Sequence, residues 1–512
     1  MTAKIIMLVC FFAVMLGIGW YYRKTANRVS DFVIGGREVG PWLTAFSYGT
    51  SYFSAVIFVG YAGQFGWKYG IASTWVGIGN ALIGSLLAWV VLGRRTRLMT
   101  QFYDSATMPE FFGKRFDSSS LKTAASLITF IFLIPYTASL YNGLSRLFGL
   151  AFNIDYSWCI LLMAVLTGIY VIAGGYMATA VNDFVQGLIM LFGIAAIVGA
   201  VLSVNGGFTQ ALSSLSQISN ADTPQLAGPF VSFFGPDPIG LLSVIILTSL
   251  GTWGLPQMVG KFYAIKDEAA INKGMVISTI FALIVAGGSY FLGGFARLYG
   301  SQVDVAKQGY DAIIPAMVAG LPDLLIGFIV ILVLSASMST LSALVLTSSS
   351  TLTLDLIKPR FDKGMDDKIQ IRWIRALIVV FVAISAAIAI YQYKSSVTFI
   401  AQLMGISWGT LAGAFLGPMV WSLYWKKTSS ASVWFCFIFS VVFMCSVSFA
   451  PQIFPVFLRS PITAGAACML FGLIAVPVIS LFTSAPRKNA RVDDAFRSYD
   501  RQVSVPVKDD LG

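Results

Sequence analysis

Long uninterrupted runs of apolar residues, separated by short polar segments, fill most of the chain. A helix needs about 20 apolar residues to cross a bilayer, and thirteen runs predict such helices. They lie near residues 5–22, 43–67, 71–93, 121–149, 157–175, 183–204, 239–259, 271–296, 312–350, 373–392, 396–424, 430–449 and 461–483. Transmembrane β-strands are short and alternate in polarity, so these continuous runs predict helices. The ninth run is too long for one span and predicts a surface helix or a loop before the span proper.

The composition assigns these helices to a membrane rather than to a soluble core. Apolar residues make up 57% of the chain and charged residues only 11%, against about 45–50% and about 25% in average soluble domains. Histidine is absent, which excludes Ser-His-Asp and Cys-His catalysis and imidazole zinc sites. We therefore predict an all-α integral membrane protein that is not an enzyme.

The net charge of +11 is explained by topology rather than by a nucleic-acid partner. If the N-terminus is outside, 27 of the 34 lysines and arginines lie on the inner side, and this count assigns Lys261 to an inner loop. The positive-inside rule then predicts an N-out, C-in plasma-membrane protein. Residues 205–238 contain no lysine or arginine and predict an external loop, and the polar tail 485–512 is predicted to be disordered.

Two runs contain clusters that predict broken helices. The second run carries Ser47 to Ser54, rich in hydroxyl residues, and the seventh carries Gly251 to Pro256. Transporters bind solutes where membrane helices unwind, although glycine and serine also allow close helix packing. The clusters lie five helices apart, so each opens one half of a 5+5 repeat, helices 2–6 against helices 7–11.

Hydroxyl residues and one acid form further candidate sites. The ninth run holds Ser339 and Thr340 within a hydroxyl-rich segment. Sodium, a hard cation, prefers oxygen ligands, and these hydroxyls with carbonyls freed at a broken helix can supply them. The alternative is hydrogen bonding to carbonyls of their own helix. Asp183 is the first residue of the sixth run and is either a helix cap or a functional acid within the membrane. Asp355 follows the ninth run and is predicted to lie at a solvated helix end.

Four glycines spaced by four residues, from Gly405 to Gly417, favour close packing of the eleventh run against another helix. The first of them also begins a GxSxG pattern, Gly405 to Gly409. We reject a nucleophile elbow there, because no strand precedes it and the chain lacks histidine.

Taken together, these residues resemble the sodium/solute symporter family, whose best-known branches transport proline and sugars. The likeness covers about residues 5–480 and is nearer the proline branch. It is carried by Asp31-Phe32…Gly35-Gly36-Arg37, by Gly174-Gly175 with Asp183 and Gln186, by Gly254-Leu255-Pro256…Lys261-Phe262-Tyr263-Ala264, by Met338-Ser339-Thr340-Leu341-Ser342, and by Gly413-Ala414…Gly417-Pro418…Trp425.

The resemblance implies a LeuT-like fold, a 5+5 inverted repeat of helices 2–11 within one transporter domain of residues 1–484. The domain divides into an extra N-terminal helix at 5–22, a first repeat at 43–204, a second repeat at 239–424 and extra C-terminal helices at 430–483. The polar cytoplasmic tail, 485–512, follows.

The resemblance also implies sodium as the co-transported ion. Its expected ligands are the carbonyls of Thr50, Phe53 and Ala336 and the hydroxyls of Ser339 and Thr340. Asp183 matches a family acid that assists sodium entry or release. With Ser339 and Ser342 it would serve a second sodium, but Ala343 stands where another hydroxyl is often seen.

The solute is expected between the broken helices. The expected contacts are Tyr52, Ser54, Trp75, Thr252, Trp253, Gln257 and Gln402, with no charged side chain among them. Proline transporters carry an acid at the place of Tyr52 and aromatic residues at the places of Thr248 and Thr252, so proline itself is weakly supported.

The function implied is sodium-coupled import of a small organic solute, an amino acid or monocarboxylate, by alternating access. The alternatives are a sodium-coupled sugar, polyol or vitamin transporter and a solute-sensing membrane protein that does not concentrate its ligand. The expected partners are the solute, sodium and the lipid bilayer, without nucleic acid, and the protein is expected to act as a monomer.

Overall fold

The computed structural model describes residues 2–24, 28–152, 155–220, 223–361, 364–395, 400–483 and 490–504, and these are overwhelmingly helical. The first ten helices are α1 Thr2–Tyr22, α2 Val29–Ile34, α3 Pro41–Tyr52, α4 Ala62–Tyr69, α5 Thr74–Gly79, α6 Arg94–Phe102, α7 Met108–Arg115, α8 Ser119–Phe152, α9 Tyr156–Val204 and α10 Phe208–Ser216. Wider π-helical turns at Val56–Tyr61, Asn80–Leu87 and Trp89–Gly93 continue the helices around them.

The remaining helices complete the bundle and end in a short C-terminal helix. They are α11 Pro238–Gly254, α12 Pro256–Ala264, α13 Glu268–Gly293, α14 Val305–Gln308, α15 Ile313–Ala319, α16 Asp323–Leu352, α17 Lys358–Phe361, α18 Asp367–Ser395, α19 Ile400–Tyr424, α20 Ser430–Phe449, α21 Pro461–Thr483 and α22 Ala490–Arg497. The ninth apolar run is thus divided between α15 and α16, which confirms that a separate element precedes its span.

In the part of the chain that the structure describes, ten helices are long and apolar enough to cross a membrane, or eleven if the bent pair α11 and α12 is one span. Two of them, Val56–Phe102 and Tyr156–Val204, are 47 and 49 residues long, about twice the length that a bilayer requires. The second is interrupted at Gly175, where φ is 57°. The all-α membrane architecture is confirmed, and the number thirteen stays a prediction.

Both predicted breaks are present, and each begins with the same backbone geometry. The residue after α3, Phe53, has φ −81° and ψ 118°, and the residue after α11, Leu255, has φ −81° and ψ 121°. An extended residue therefore begins each break, which takes in Phe53 and Ser54 in the first helix and Leu255 alone in the second, and α11 and α12 meet at a bend of 47°. Matching breaks five helices apart are what an inverted repeat requires.

The start of the first broken helix and the end of the second are tied together through the loop before α3. The Val39 amide donates to the Ala264 carbonyl at 3.0 Å, and the Lys266 amide donates to the Val39 carbonyl at 3.1 Å. The buried Arg37 guanidinium donates to the Tyr263 carbonyl at 3.2 Å. These bonds hold the start of the first broken helix to the end of the second.

Backbone-to-backbone contact between α4 and α13 fixes the part of the first broken helix that follows the break. A Cβ atom on Gly66 would lie 1.8 Å from the Gly293 carbonyl oxygen, and one on Gly293 would lie 2.1 Å from the Ala62 carbonyl oxygen. Backbone atoms cannot move aside as a flexible side chain can, so only glycine fits at this crossing.

We expect Gly66→Ala to lower the thermal stability of the purified protein, because the added methyl group must push α4 away from α13. Overpacking of this kind costs about 1–3 kcal/mol. Gly199→Ala is the control, since a Cβ there would meet nothing within 4 Å. Melting followed by intrinsic fluorescence in detergent measures both, and equal melting temperatures for the two variants would refute the close contact.

The glycine stripe of α19 packs against α21, as its spacing predicts. A Cβ on Gly409 would lie 2.9 Å from the Gly465 Cα, and a Cβ on Gly417 would lie 2.4 Å from the Gly472 carbonyl oxygen. The stripe is therefore a helix-packing surface.

Asp355 is not a solvated helix end, as predicted, but a buried residue that is 2% exposed. Its carboxylate accepts a hydrogen bond from the Thr107 hydroxyl at 2.5 Å and lies 3.3 Å from the Lys122 ammonium. A buried carboxylate requires such partners, and they come from chain segments that sequence spacing does not connect to it.

The prediction of a disordered C-terminal tail is wrong for residues 490–504, while 485–489 and 505–512 lie outside the described residues. The tail forms α22, and Val503 beyond it is only 4% exposed. The Arg94 guanidinium donates to the carbonyls of Tyr499 and Arg501, each at 2.8 Å, and the Tyr499 hydroxyl donates to the Leu423 carbonyl at 2.8 Å. The tail therefore joins α6 to the end of α19.

Candidate sodium and solute sites

The five residues predicted to bind sodium converge where α16 passes the break after α3. The Ser339 hydroxyl lies 3.1 Å from the carbonyl oxygens of Thr50 and Ala336. The Thr340 hydroxyl lies 3.1 Å from the same two oxygens and 3.4 Å from the Phe53 carbonyl. Three carbonyl oxygens and two hydroxyl oxygens therefore surround one buried point.

The break explains why these oxygens are available. A helix leaves the carbonyls of its last turn without intrahelical partners, and α3 ends at Tyr52, which frees the carbonyls of Thr50 and Phe53. Ser339 and Thr340 lie on the opposing face of α16, and both are fully buried. Each hydroxyl also donates to the Ala336 carbonyl of its own helix. Hydroxyls that only bond to their own helix and hydroxyls that bind an ion would both have the arrangement observed.

Asp183 lies beside this cluster in a charged network. Its Oδ2 atom accepts a hydrogen bond from the Ser47 hydroxyl at 2.5 Å, and the Lys261 ammonium donates to that hydroxyl at 2.7 Å. The distance between Lys261 Nζ and Asp183 Oδ2 is 3.8 Å. The assignment of Lys261 to an inner loop is therefore wrong, because α12 carries it into the core, where it is 4% exposed.

The structure does not bring Ser342 into contact with Asp183. The Ser342 hydroxyl donates to the Ser339 carbonyl at 2.8 Å, whereas the Asp183 contacts are to Ser47 and Lys261. A second sodium held jointly by Asp183 and Ser342 stays a prediction.

One of the predicted solute contacts has buried polar atoms without partners. Within the described ranges, both amide atoms of Gln257 make no hydrogen bond, whereas the Tyr52 hydroxyl pairs with Tyr290 and the Ser54 hydroxyl with Tyr136. Buried polar atoms are nearly always paired in folded proteins. The free amide of Gln257, which follows the second helix break, therefore indicates a site that a polar ligand completes.

Two cavities border these groups. One is lined by Tyr48, Gly49, Tyr52, Asn80, Gly84, Ser85, Thr252, Ser278 and Ala282. The other is lined by Gln257 and Lys261 of α12, by Tyr176 of α9, and by Thr107 and Thr351 toward the side predicted to be cytoplasmic. The second cavity leads from the broken helices toward that side.

The remaining predicted solute residues have partners or lie apart from these groups. The Thr252 hydroxyl donates to the Gly84 carbonyl at 3.0 Å, and the Trp253 indole donates to the Ile83 carbonyl at 3.0 Å. The Trp75 indole donates to the Phe233 carbonyl of the 205–238 segment at 3.0 Å. Gln402 is half-buried near the start of α19.

Sequence reasoning missed four aromatic and amide groups near the predicted solute contacts. Asn80, Tyr136, Tyr290 and Trp408 form a buried polar network with those contacts, in which Tyr290 pairs with Tyr52 and Asn80, and Tyr136 pairs with Ser54 and Trp408. The Trp408 ring lies 5.8 Å from the rings of both Tyr52 and Tyr136. The only signal in the sequence was an isolated polar or amphipathic residue within an apolar run, which packing explains equally well.

An all-helical membrane protein with two matching broken helices, one of which borders a buried cluster of oxygens, belongs to the class of inverted-repeat secondary transporters. The chain belongs to the sodium:solute symporter family, whose match covers residues 32–436. It is therefore a multi-pass membrane protein that couples sodium to the symport of a small organic solute, in a family of transporters rather than enzymes.

Curated relatives match most of the chain. The osmoregulated proline transporter OpuE of Bacillus subtilis is 31% identical over 83% of this chain and 84% of its own. The sodium/proline symporter 2 of Staphylococcus saprophyticus is 29% identical over 83% of this chain and 82% of its own.

A solved structure confirms the LeuT-like fold. A Na+-coupled sialic acid symporter, in a substrate-bound outward-open state, superposes with a TM-score of 0.74 over 95% of this chain and 99% of its own, at 19% identity.

Proposed function

We propose that this protein imports a small zwitterionic amino acid together with sodium bound by Thr50, Phe53, Ala336, Ser339 and Thr340. The observation that carries the proposal is the convergence of five oxygens from α3 and α16 at one helix break. A hard monovalent cation needs oxygen ligands and no carboxylate, and this set provides them in a buried position.

The same break couples the two ligands. Thr50 and Phe53 contribute to the sodium site, whereas Tyr52 and Ser54, between and beside them, contribute hydroxyls to the solute site. Sodium binding fixes α3 against α16 and thereby orders the solute contacts. A coupling of this kind is reciprocal, so the solute must raise the affinity for sodium by the same factor.

The chemistry of the pocket favours a zwitterion of no net charge. The polar groups of Tyr52, Ser54, Gln257 and the nearby Asn80 are hydroxyls and amides, which bind polar groups without demanding a net charge. The ends of the broken helices present backbone amides and carbonyls for a carboxylate and an ammonium. Since the similar proteins named above are described as proline transporters, proline is the first solute to test.

The placement in the membrane follows the charge pattern. We propose one transporter domain, residues 1–484, in the plasma membrane with the N-terminus outside and the C-terminus cytoplasmic, acting as a monomer. The cavity beside Lys261 then opens toward the cytoplasm. Trp75, Trp253, Thr252 and Gln402 are proposed to shape the solute pocket, and Asp183 to lie on the path of sodium release.

The function is tested by sodium-dependent solute binding to the purified protein. Thermal shift measured with and without sodium, across a panel of amino acids, monocarboxylates and sugars, should show stabilisation by a small amino acid only when sodium is present. Stabilisation by a sugar or polyol instead would contradict the proposed substrate class, and solute binding that ignores sodium would contradict the coupling.

We expect Tyr52→Phe to weaken solute binding about threefold to tenfold with only a small fall in the melting temperature. The hydroxyl pairs with Tyr290, a single neutral hydrogen bond, and a hydrogen bond to the solute contributes about 0.5–1.5 kcal/mol. Isothermal titration at saturating sodium measures the affinity. Tyr21→Phe, at an exposed tyrosine of α1, is the control, and equal affinities for both variants would remove Tyr52 from the site.

A further inference from the structure

A buried lysine and a buried aspartate face each other close to the candidate sodium site. Lys261 Nζ lies 3.8 Å from Asp183 Oδ2, and the exposed fractions of the two side chains are 5% and 0%. Ser47 bridges them, accepting from Lys261 at 2.7 Å and donating to Asp183 at 2.5 Å. Ser47 precedes Thr50 by one helical turn, so the network adjoins a carbonyl of the sodium site.

The carboxylate requires a positive charge at this depth. Removing an ion from water costs several kcal/mol even after relaxation, and a lone charge inside a membrane protein needs a partner. Asp183 Oδ1 has no hydrogen-bond partner within the described part of the chain. The nearby cation is therefore the ammonium of Lys261, at the end of a long side chain on α12.

We propose that Lys261 is a tethered cation that takes the place of a second sodium at Asp183, so that the protein carries one sodium per solute. This inference rests on the proposed function for the first sodium only. An ammonium and a sodium ion carry the same charge, and each can neutralise one carboxylate. Without Lys261, the hydroxyl of Ser47 and the two oxygens of Asp183 would remain around a vacated position.

A cavity reaches the position of Lys261. Lys261 lines the cavity that runs toward the predicted cytoplasmic side, together with Gln257 and Tyr176. Its ammonium lies 5.1 Å from the centre of the Tyr176 ring, a distance at which an aromatic face attracts a cation. A sodium ion entering after removal of the lysine would therefore meet a carboxylate, a hydroxyl and an aromatic face.

The test is the number of sodium ions bound per protein, measured at equilibrium with radioactive sodium on purified protein. We expect one ion in the wild type, two in Lys261→Met, one in Lys261→Arg, and one in Lys261→Met combined with Asp183→Asn. Methionine removes the charge and keeps an unbranched side chain, whereas arginine keeps the charge. The combined variant removes both the tethered cation and the acid that would attract its replacement.

One ion in Lys261→Met, or two in the wild type, would overturn the proposal. If Lys261→Met fails to fold even in molar sodium while the combined variant folds, sodium cannot replace the ammonium and the proposal is also wrong. The proposed function fails in a different way, because the wild type would then bind no sodium. Recovery of folded Lys261→Met that increases with sodium concentration supports the proposal independently.

Discussion

Asp183→Asn is expected to abolish transport and to lower the thermal stability of the protein more than any other single substitution at the site. The asparagine keeps the shape of the side chain but leaves the Lys261 ammonium without its counter-charge, in a position that is 4% exposed. Breaking a buried ion pair by removing one partner costs about 3–5 kcal/mol, a large fraction of the total stability of most proteins. Melting in detergent and uptake into proteoliposomes measure the two losses.

The combined variant separates the cost of leaving the Lys261 ammonium without a counter-charge from the contribution of the Asp183 carboxylate to transport. Asp183→Asn with Lys261→Met carries no charge in this network, so its melting temperature should return toward that of the wild type. Sodium should not rescue Asp183→Asn, because a cation cannot replace a lost anion. If the single variant melts at the wild-type temperature, the pair is not the buried neutralising contact that the structure shows.

Replacing both Ser339 and Thr340 with alanine should raise the sodium concentration needed for half-maximal binding at least a hundredfold. The two hydroxyls are two of the five oxygens in the candidate site, and each contact between a hydroxyl and an ion contributes about 1.5–3 kcal/mol. The protein should still fold, because each hydroxyl also makes bonds within its own helix that an alanine helix does not need. Sodium titration of tryptophan fluorescence, with and without solute, measures the change.

Ser289→Ala is the matched control for this pair. Its hydroxyl is buried and donates to the Val285 carbonyl one turn earlier at 2.7 Å, the same contact within a helix but away from the break after α3. We expect its sodium requirement to equal that of the wild type. An unchanged requirement in the Ser339 and Thr340 double variant would remove the sodium assignment, whereas a change in Ser289→Ala would show that hydroxyl loss acts through general packing.

The residues predicted to bind sodium converge in the structure because the determinants of this arrangement are mostly local. The break depends on the segment Ser47 to Ser54, and the two hydroxyls stand next to each other on one helix. The only long-range condition is that α16 passes the break. The resemblance to a known family supplies that condition, and the structure brings Thr50, Phe53, Ser339 and Thr340 together.

The charged network could not be predicted because it depends on packing between distant segments. Asp183 and Lys261 lie on α9 and α12, and a lysine after an apolar run has the same pattern as a lysine in an inner loop. Asp355 was misjudged for the same reason, because Thr107 and Lys122 reach it from another part of the chain. The docked tail also depends on partners, Arg94 and Leu423, that the composition of the tail does not indicate.

The polar groups around the solute pocket mark another limit of prediction from the sequence. Asn80, Tyr136 and Tyr290 lie in different apolar runs and share no period or motif. Only the fold brings them together in a buried polar network with Tyr52 and Ser54. The substrate class is therefore argued from the structure and from similar proteins, whereas the ion follows from the sequence pattern.

The central claim is that a sodium gradient drives accumulation of a small zwitterionic amino acid, and uptake into proteoliposomes tests it most directly. Purified protein should concentrate proline, or another small neutral amino acid, above the external level when sodium is higher outside. The accumulation should disappear when a sodium ionophore removes the gradient or when potassium replaces sodium. Absence of sodium-stimulated uptake for every amino acid, monocarboxylate and sugar tested, in vesicles containing folded protein, would contradict the account.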